Sequence, residues 1–179
     1  AVYTRITEED VSTLKGLDDF SRVGEYYMLA VEPAEQGYNA SYIYCDEETM
    51  YIARDQMKLL EGRLPQKEDE VAVSRYFLSN YGADAGIGEK VMLNSESFHG
   101  EYTVTGILEG YKEKEVNGSS ILLSKEALKG WSGYDPADYR AYVHFKNEQQ
   151  MDETELTARS REIAKEYQLE MPIMNLSYM

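Results

Sequence analysis

The side chains in this sequence best equipped for chemistry are carboxylates in three short runs, Asp18-Asp19, Asp46-Glu47-Glu48 and Glu68-Asp69-Glu70. Two carboxylates at a suitable separation can hydrolyse glycosides, and several around a glycine-bearing loop can bind calcium. The calcium-loop pattern is missing, and solvated turns are the ordinary explanation for such runs. His99 and His144 are far apart in sequence, and no cluster of His, Cys or carboxylates has the spacing of a zinc site. His99 sits in a polar Ser-Phe-His-Gly segment and His144 between Val143 and Phe145, so both read as solvated or strand-face histidines. Cys45 is the single cysteine and can form no internal disulfide. It lies in the strand-like run Ser41–Asp46 with no base nearby, which suits a small buried hydrophobe better than a nucleophile. Gly86-Ile-Gly lacks the third glycine, the Gly-Lys-Ser/Thr ending and the following helix of a phosphate loop, and reads as a turn. There is no Gly-x-Ser-x-Gly elbow from which serine hydrolysis would start.

The elements that would hold these residues follow from composition and pattern. A chain of 179 residues fits one domain or two small lobes, and 42% hydrophobic residues can build a core. Eighteen basic against thirty-three acidic residues give a net charge of -15, which repels phosphate backbones and argues against nucleic-acid binding. The longest wholly apolar run is Tyr26–Val31, far short of the roughly 20 residues that cross a bilayer. The chain starts at Ala1 without an initiator methionine and is expected to be a fragment of something longer. Sixteen tyrosines suit a binding surface, but Tyr42, Tyr44 and Tyr102 fall in runs where they simply fit a sheet. Asn39-Ala-Ser, Asn117-Gly-Ser and Asn175-Leu-Ser match the glycosylation pattern, which has meaning only where the source glycosylates.

Along the chain, Thr7 caps a helix with an acidic first turn and an apolar stripe of Val11, Leu14 and Leu17, ending near Gly16. Strands are predicted at Arg22–Glu32 and Ala40–Asp46, separated by Pro33 and Gly37. A second helix is predicted over Glu48–Leu60, with Met50, Met57, Leu59 and Leu60 available to the core. Val71–Val73 reads as a short buried strand. Ser74 then caps a helix with Phe77, Leu78 and Tyr81 inward and Gly82 closing it. A turn leads from Gly86 into a strand ending at Leu93, and further strands are expected at Glu101–Leu108, Ser120–Leu123 and Tyr139–Lys146. Ser124 begins a short helix. The last helix runs from Asp152 to about Gln168 with an Asp152/Glu155 capping box, Leu156, Ile163 and Tyr167 on one face, and Arg159, Arg161 and Lys165 nearer its negative end. Pro172 ends it, and Ile173–Leu176 is a candidate final strand. The fold class is α+β, with mixed short-strand sheets, packed helices, and no internal repeat.

The order of motifs carries more information than any one of them. Leu60-Glu-Gly-Arg-Leu-Pro65, a charged spacer, Glu70-Val-Ala-Val-Ser74, Gly86-Ile-Gly-Glu-Lys-Val91 and Tyr102-Thr-Val-Thr-Gly-Ile107 follow one another. The series resembles the extracytoplasmic domain of ABC transporter permeases of the MacB/FtsX-like family. There, Leu-x-Glu-Gly-Arg-x-Pro…Glu-Ile-x-Ile-Ser precedes Ile-Gly-Asp-x-Ile and Phe-x-Val-x-Gly-Ile. With less specificity, Ile6–Asp10 resembles the helix after the first membrane span, and Ile121–Leu128 the strand and helix after the Gly-Ile strand. Tyr139–Lys146 and the terminal helix resemble the pair that leads back to the membrane.

The resemblance implies a MacB-like extracytoplasmic domain of two lobes, porter-like over about 1–47 plus 136–179 and sabre-like, inserted, over about 48–135. It implies a position on the outer face of the cytoplasmic membrane, as a soluble part between the first and second of four transmembrane helices. The implied partners are an ABC ATPase subunit, a second permease copy, and an extracellular protein, peptide or lipid-linked substrate. ATP hydrolysis would belong to the partner, so no catalytic residue, cofactor or metal is expected here. No long extension of the kind that docks an outer-membrane channel is present, so a tripartite efflux pump is not expected. The family residues, Glu61, Gly62, Arg63, Pro65, Glu70, Ser74, Gly88 and Gly106, would be structural. Arg63 would pair with an acidic neighbour such as Glu61 or Glu70, or contact a partner, with the internal pair favoured. Two other readings stand beside this one: an extracellular sensor or ligand-binding module for cationic peptides, suggested by the acidic, tyrosine-rich composition, and a hydrolase using the acidic runs.

Overall fold

The computed structural model describes residues 1–33, 38–80 and 85–174. They sort into two compact units, one of residues 1–27, 46–53 and 135 onward, the other of residues 28–45 and 54–134. The lobe bounds expected from the resemblance place residues 28–45, 48–53 and 135 differently.

In the first unit β1 (Val2–Ile6), β9 (Tyr139–Phe145) and the start of β2 (Phe20–Pro33) form an antiparallel sheet in the order β1-β9-β2. The register pairs Val2 with Tyr142, Tyr3 with Ala141, and Gly24 with Tyr142. Side chains alternate across a strand, so Val2, Gly24, Tyr26 and Tyr142 share one face while Tyr3, Val23, Ala141 and Val143 share the other. On the second face Tyr3, Phe20 and Phe145 meet edge to face, and α6 (Glu153–Glu166) is tied down where the Tyr3 hydroxyl donates to the Ser160 carbonyl at 2.8 Å. Burial pushes that phenol up to about 12, so it stays a donor at any ordinary pH. On the first face α2 (Glu47–Ile52) presses its first turn against Gly24. A Cβ there would lie 2.2 Å from Thr49 Oγ1 and 2.5 Å from the Thr49 nitrogen. Helix α1 (Glu8–Lys15) has the Thr7 cap, closed reciprocally by Asp10, and buries Val11 and Leu14 completely.

The second unit is a mixed sheet in the order β2-β3-β8-β5-β7-β4, with β6 also on β7. Strand β3 (Asn39–Cys45) runs parallel to β8 (Gly118–Leu123), β8 antiparallel to β5 (Glu70–Ser74), and β5 parallel to β7 (His99–Gly110). Strands β4 (Met57–Gly62) and β6 (Lys90–Asn94) are antiparallel to β7. Strand β5 is buried throughout, as a central strand covered on both faces must be. Val71, Val73, Val104, Ile121 and Leu122 have 1% exposure or less, and each such burial contributes about 2 kcal/mol. Short helices α3 (Arg75–Asn80), α4 (Glu113–Val116) and α5 (Lys125–Gly130) connect the strands. Ser124 caps α5 as expected, accepting the Ala127 N–H at 3.1 Å.

Three expectations need correction. The helix predicted over Glu48–Leu60 stops at Ile52, and Met57–Gly62 is β4 instead. Those residues have good helix propensity, but β7 offers backbone partners that place Leu59 opposite Leu108, and tertiary pairing outweighs a weak local preference. Strand β1 was not anticipated: it is five residues long and broken by a bulge, with Arg5 at φ 53°. Helix α4 was not anticipated either. Of the final strand, an Ile173 bridge to Val2 is seen; residues beyond 174, like Gly37, Tyr81 and Gly82, lie outside the described residues.

Gly24→Ala should cost about 2–3 kcal/mol, because Thr49 and the α2 backbone block the new methyl group. Tyr3→Phe should cost about 1 kcal/mol, losing one hydrogen bond without changing the packing. Urea unfolding midpoints check both, and the order Gly24→Ala worse than Tyr3→Phe is the required outcome.

Candidate functional site

The four pieces of the motif series, scattered over nearly fifty residues of sequence, come together around β7. Gly62 closes β4 opposite Gly106 with φ 78°, and a Cβ on it would lie 2.1 Å from the Thr105 carbonyl oxygen. Only glycine combines that dihedral with so close a backbone approach. The next residue locks the contact from both sides: the Arg63 N–H donates to the Thr105 carbonyl at 2.8 Å, and Thr105 Oγ1 donates to the Arg63 carbonyl at 3.1 Å. From the Gly86-Ile-Gly turn, the N–H of Gly88, itself at φ 86°, donates to the Val104 carbonyl at 2.8 Å. Val104 returns a bond to the Glu89 carbonyl at 2.8 Å. Pro65 stands in the loop between β4 and β5, which is therefore a strand-to-strand connection.

That loop is closed by charge. Arg63 Nη1 and Nη2 donate to the two oxygens of Glu70 at 3.0 and 2.6 Å, and Nη1 also reaches the Leu64 carbonyl at 3.0 Å. Glu70 Oε1 accepts the N–H groups of Gln66 and Lys67 at 2.9 Å each. A forked guanidinium and two loop amides thus converge on one carboxylate that is only 7% exposed. The Arg63 hydrogen bonds, assisted by the two amides, bring the Glu70 carboxyl down to about 2. Glu70 is consequently ionised and saturated near neutral pH, which unfits it as a general acid or base. Of the two partners weighed for Arg63 the geometry selects Glu70; Glu61 lies 3.8 Å from Arg75 instead, and both of those side chains are exposed.

The other acidic runs are held in comparable ways. Asp19 takes a two-pronged contact from Arg159 at 2.8 and 3.0 Å, which holds its carboxyl below the usual range. Asp46 caps α2 through the Thr49 N–H at 2.9 Å. Glu48 accepts from Arg22 at 2.8 Å, and that guanidinium lies 3.8 Å over the Tyr51 ring. His144 on β9 is 3.7 Å from Glu148, and Cys45 is buried in β3. His99 lines an open cleft of about 550 Å³ with Lys67, Glu68, Asp69, Glu101 and Tyr102. Among the described residues no group of three or more His, Cys, Asp or Glu is arranged to hold a metal. Nor is any described helix long and apolar enough to cross a membrane.

Ser74 does more than end its motif. Its Oγ accepts the Phe77 N–H at 3.0 Å as a helix cap and donates to Glu113 at 2.6 Å. Glu113 was not singled out from the sequence; it follows Ser74 by 39 positions, and no local pattern joins them.

Because folded Glu70 resists protonation, its contribution is complete above about pH 4.5, the ordinary value, and fades as pH falls toward 2 while the unfolded chain takes up the proton. Glu70→Gln should lower stability at pH 7 by about 2 kcal/mol and flatten the loss of stability across that acid window. Urea midpoints from pH 7 down to pH 3 check the sign, and an unchanged slope would count against the pair. Gly62→Ala should cost about 3 kcal/mol or more, since its methyl group meets backbone that cannot move aside.

No family model matches the sequence, and no curated protein matches it. Solved structures do. The extracellular domain of YknZ, a noncanonic ABC-type transporter from Gram-positive bacteria, is 16% identical, with a TM-score of 0.62 over 96% of this chain and 95% of that one. A domain assigned to a permease protein of Porphyromonas gingivalis is 14% identical, with a TM-score of 0.56 over 92% and 82%. The periplasmic region of MacB from Actinobacillus actinomycetemcomitans is 14% identical, with a TM-score of 0.55 over 94% and 77%. This chain therefore has the mixed α/β fold of the extracytoplasmic domains of ABC-type transporter permeases, the architecture that its motif series resembles.

Proposed function

We propose that this chain is the extracytoplasmic domain of an ABC transporter permease subunit of the MacB/FtsX-like kind. The observation that carries the reading is the likeness to the YknZ extracellular domain over almost the full length of both chains. In this reading the chain performs no reaction. A cytoplasmic ATPase partner hydrolyses ATP, and motion reaching this domain through membrane helices drives export or mechanical work on an outside substrate or partner. Its two units act as the porter-like and inserted lobes, and two permease copies work together. The braced β7 region suits such a part, because a domain that transmits force needs rigid backbone contacts rather than a reactive cleft. Glu61, Gly62, Arg63, Pro65, Glu70, Ser74, Gly88 and Gly106 are then structural residues.

A sensor for cationic peptides finds carboxylates at the open cleft, but they stand beside Lys67 and face solvent, so the transporter reading is preferred. Calorimetric titration with cationic peptides separates the two, since a sensor must bind saturably and lose affinity with salt.

Cysteine labelling of the full-length protein tests the placement directly. Thr154 is exposed on α6, whereas the native Cys45 is buried and gives little background. Thr154→Cys should react with a membrane-impermeant maleimide on intact cells, and the complete reading frame should encode one span before this segment and three after it. Labelling only after lysis, or a frame without spans, refutes the proposal.

A further inference from the structure

The segment from Tyr111 to Asn117, between β7 and β8, is held in an unusual way. It contains α4, flanked by non-glycine residues in the left-handed region, Lys112 at φ 52°, ψ 31° and Asn117 at φ 49°, ψ 52°. Asparagine tolerates that region, but lysine has no short polar side chain to ease it. Burial does not compensate: all seven residues except Glu113 are exposed, including Tyr111 and Val116. Backbone bonds fix the two ends, the Tyr111 N–H to the Gln56 carbonyl at 2.8 Å and the Asn39 N–H to the Asn117 carbonyl at 2.9 Å.

Between those ends the Glu113 carboxylate reaches back to the sheet. Its Oε2 accepts from the hydroxyls of Ser74 and Ser119, and its Oε1 accepts the Gly110 N–H at 2.7 Å. Both serines are buried, and their hydroxyls lie 3.1 Å apart, so the carboxylate supplies an acceptor to two donors inside the fold. Ser74 still caps α3 through the Phe77 N–H, which leaves its own proton for Glu113.

We propose that residues 111–117 form a latch closed by Glu113: the segment is strained at Lys112, lacks apolar anchorage, and opens as a local unit when the carboxylate lets go while β5 and β7 stay folded. Local opening without global unfolding is expected where few apolar contacts hold a segment and its link to the sheet between the two ends runs through one side chain. The inference does not depend on the transporter reading, since it concerns only the mobility of this connection.

Hydrogen exchange of the 179-residue chain, native and as Glu113→Ala and Ser119→Ala, tests it. Exchange across 111–117 should rise about tenfold or more in Glu113→Ala, which loses three bonds to a charge, and by less in Ser119→Ala, which loses one. Amides of Val71–Val73 and Val104–Leu108 should keep their protection in both. Unchanged exchange across 111–117 overturns the proposal. So does an equal rise in β5 and β7, which would make Glu113 part of the global core. Failure of Glu113→Ala to fold, with Ser119→Ala leaving 111–117 fully protected, overturns it as well.

Discussion

The backbone of β7 has to be satisfied along both edges, and much of the second unit is arranged around that demand. On one edge β5 pairs with Thr103–Leu108; on the other β6 serves His99–Thr103 and β4 serves Gly106–Gly110. The handover between β6 and β4 leaves Val104 and Thr105 to be met by something else. The Gly88 turn meets Val104, and the Arg63 backbone meets Thr105. Glycine stands at 62 because a positive φ coincides there with close approach to the Thr105 carbonyl, and at 88, where a Cβ would have open space, because of the positive φ alone.

The Arg63–Glu70 pair belongs to the same constraint. A seven-residue excursion must leave β4 beside Thr105 and return as β5 on the opposite edge of β7. Glu70 gathers that loop by accepting from Arg63, Gln66 and Lys67 together. A lone exposed ion pair contributes only about 0–1 kcal/mol, but a carboxylate this little exposed, with two amides and a fork, is a structural joint. The acidic runs as a whole follow the pattern: Asp19, Asp46 and Glu48 hold a helix, a cap and a stacked arginine, while their exposed neighbours contribute to the net charge of -15.

What was legible in the sequence was local. The Thr7, Ser74, Ser124 and Asp152 caps lie where the pattern puts them, each bonding an amide three residues on. The buried Val71–Val73 run and the alternation of Tyr139–Phe145 also appear as strands. Met57–Gly62 reads as helix in the sequence because Met, Lys, Leu and Glu favour a helix in isolation, and nothing nearby in the chain reveals the waiting edge of β7, almost fifty residues downstream. Glu113 escaped notice for the same reason, its partners Ser74 and Ser119 being brought to it by the sheet.

The order of the four motif pieces, the helix caps and the alternation of apolar residues are properties of the sequence by itself, because each depends on neighbours within a few positions. Which carboxylate Arg63 takes, that β3 runs parallel to β8, that β4 is a strand, and that the loop after it joins two strands on opposite edges of β7 were decided only in the tertiary structure. The physical reason is the reach of the interactions: capping and side-chain periodicity act over one or two turns of chain, whereas a backbone edge recruits partners from any part of the chain that can come to it.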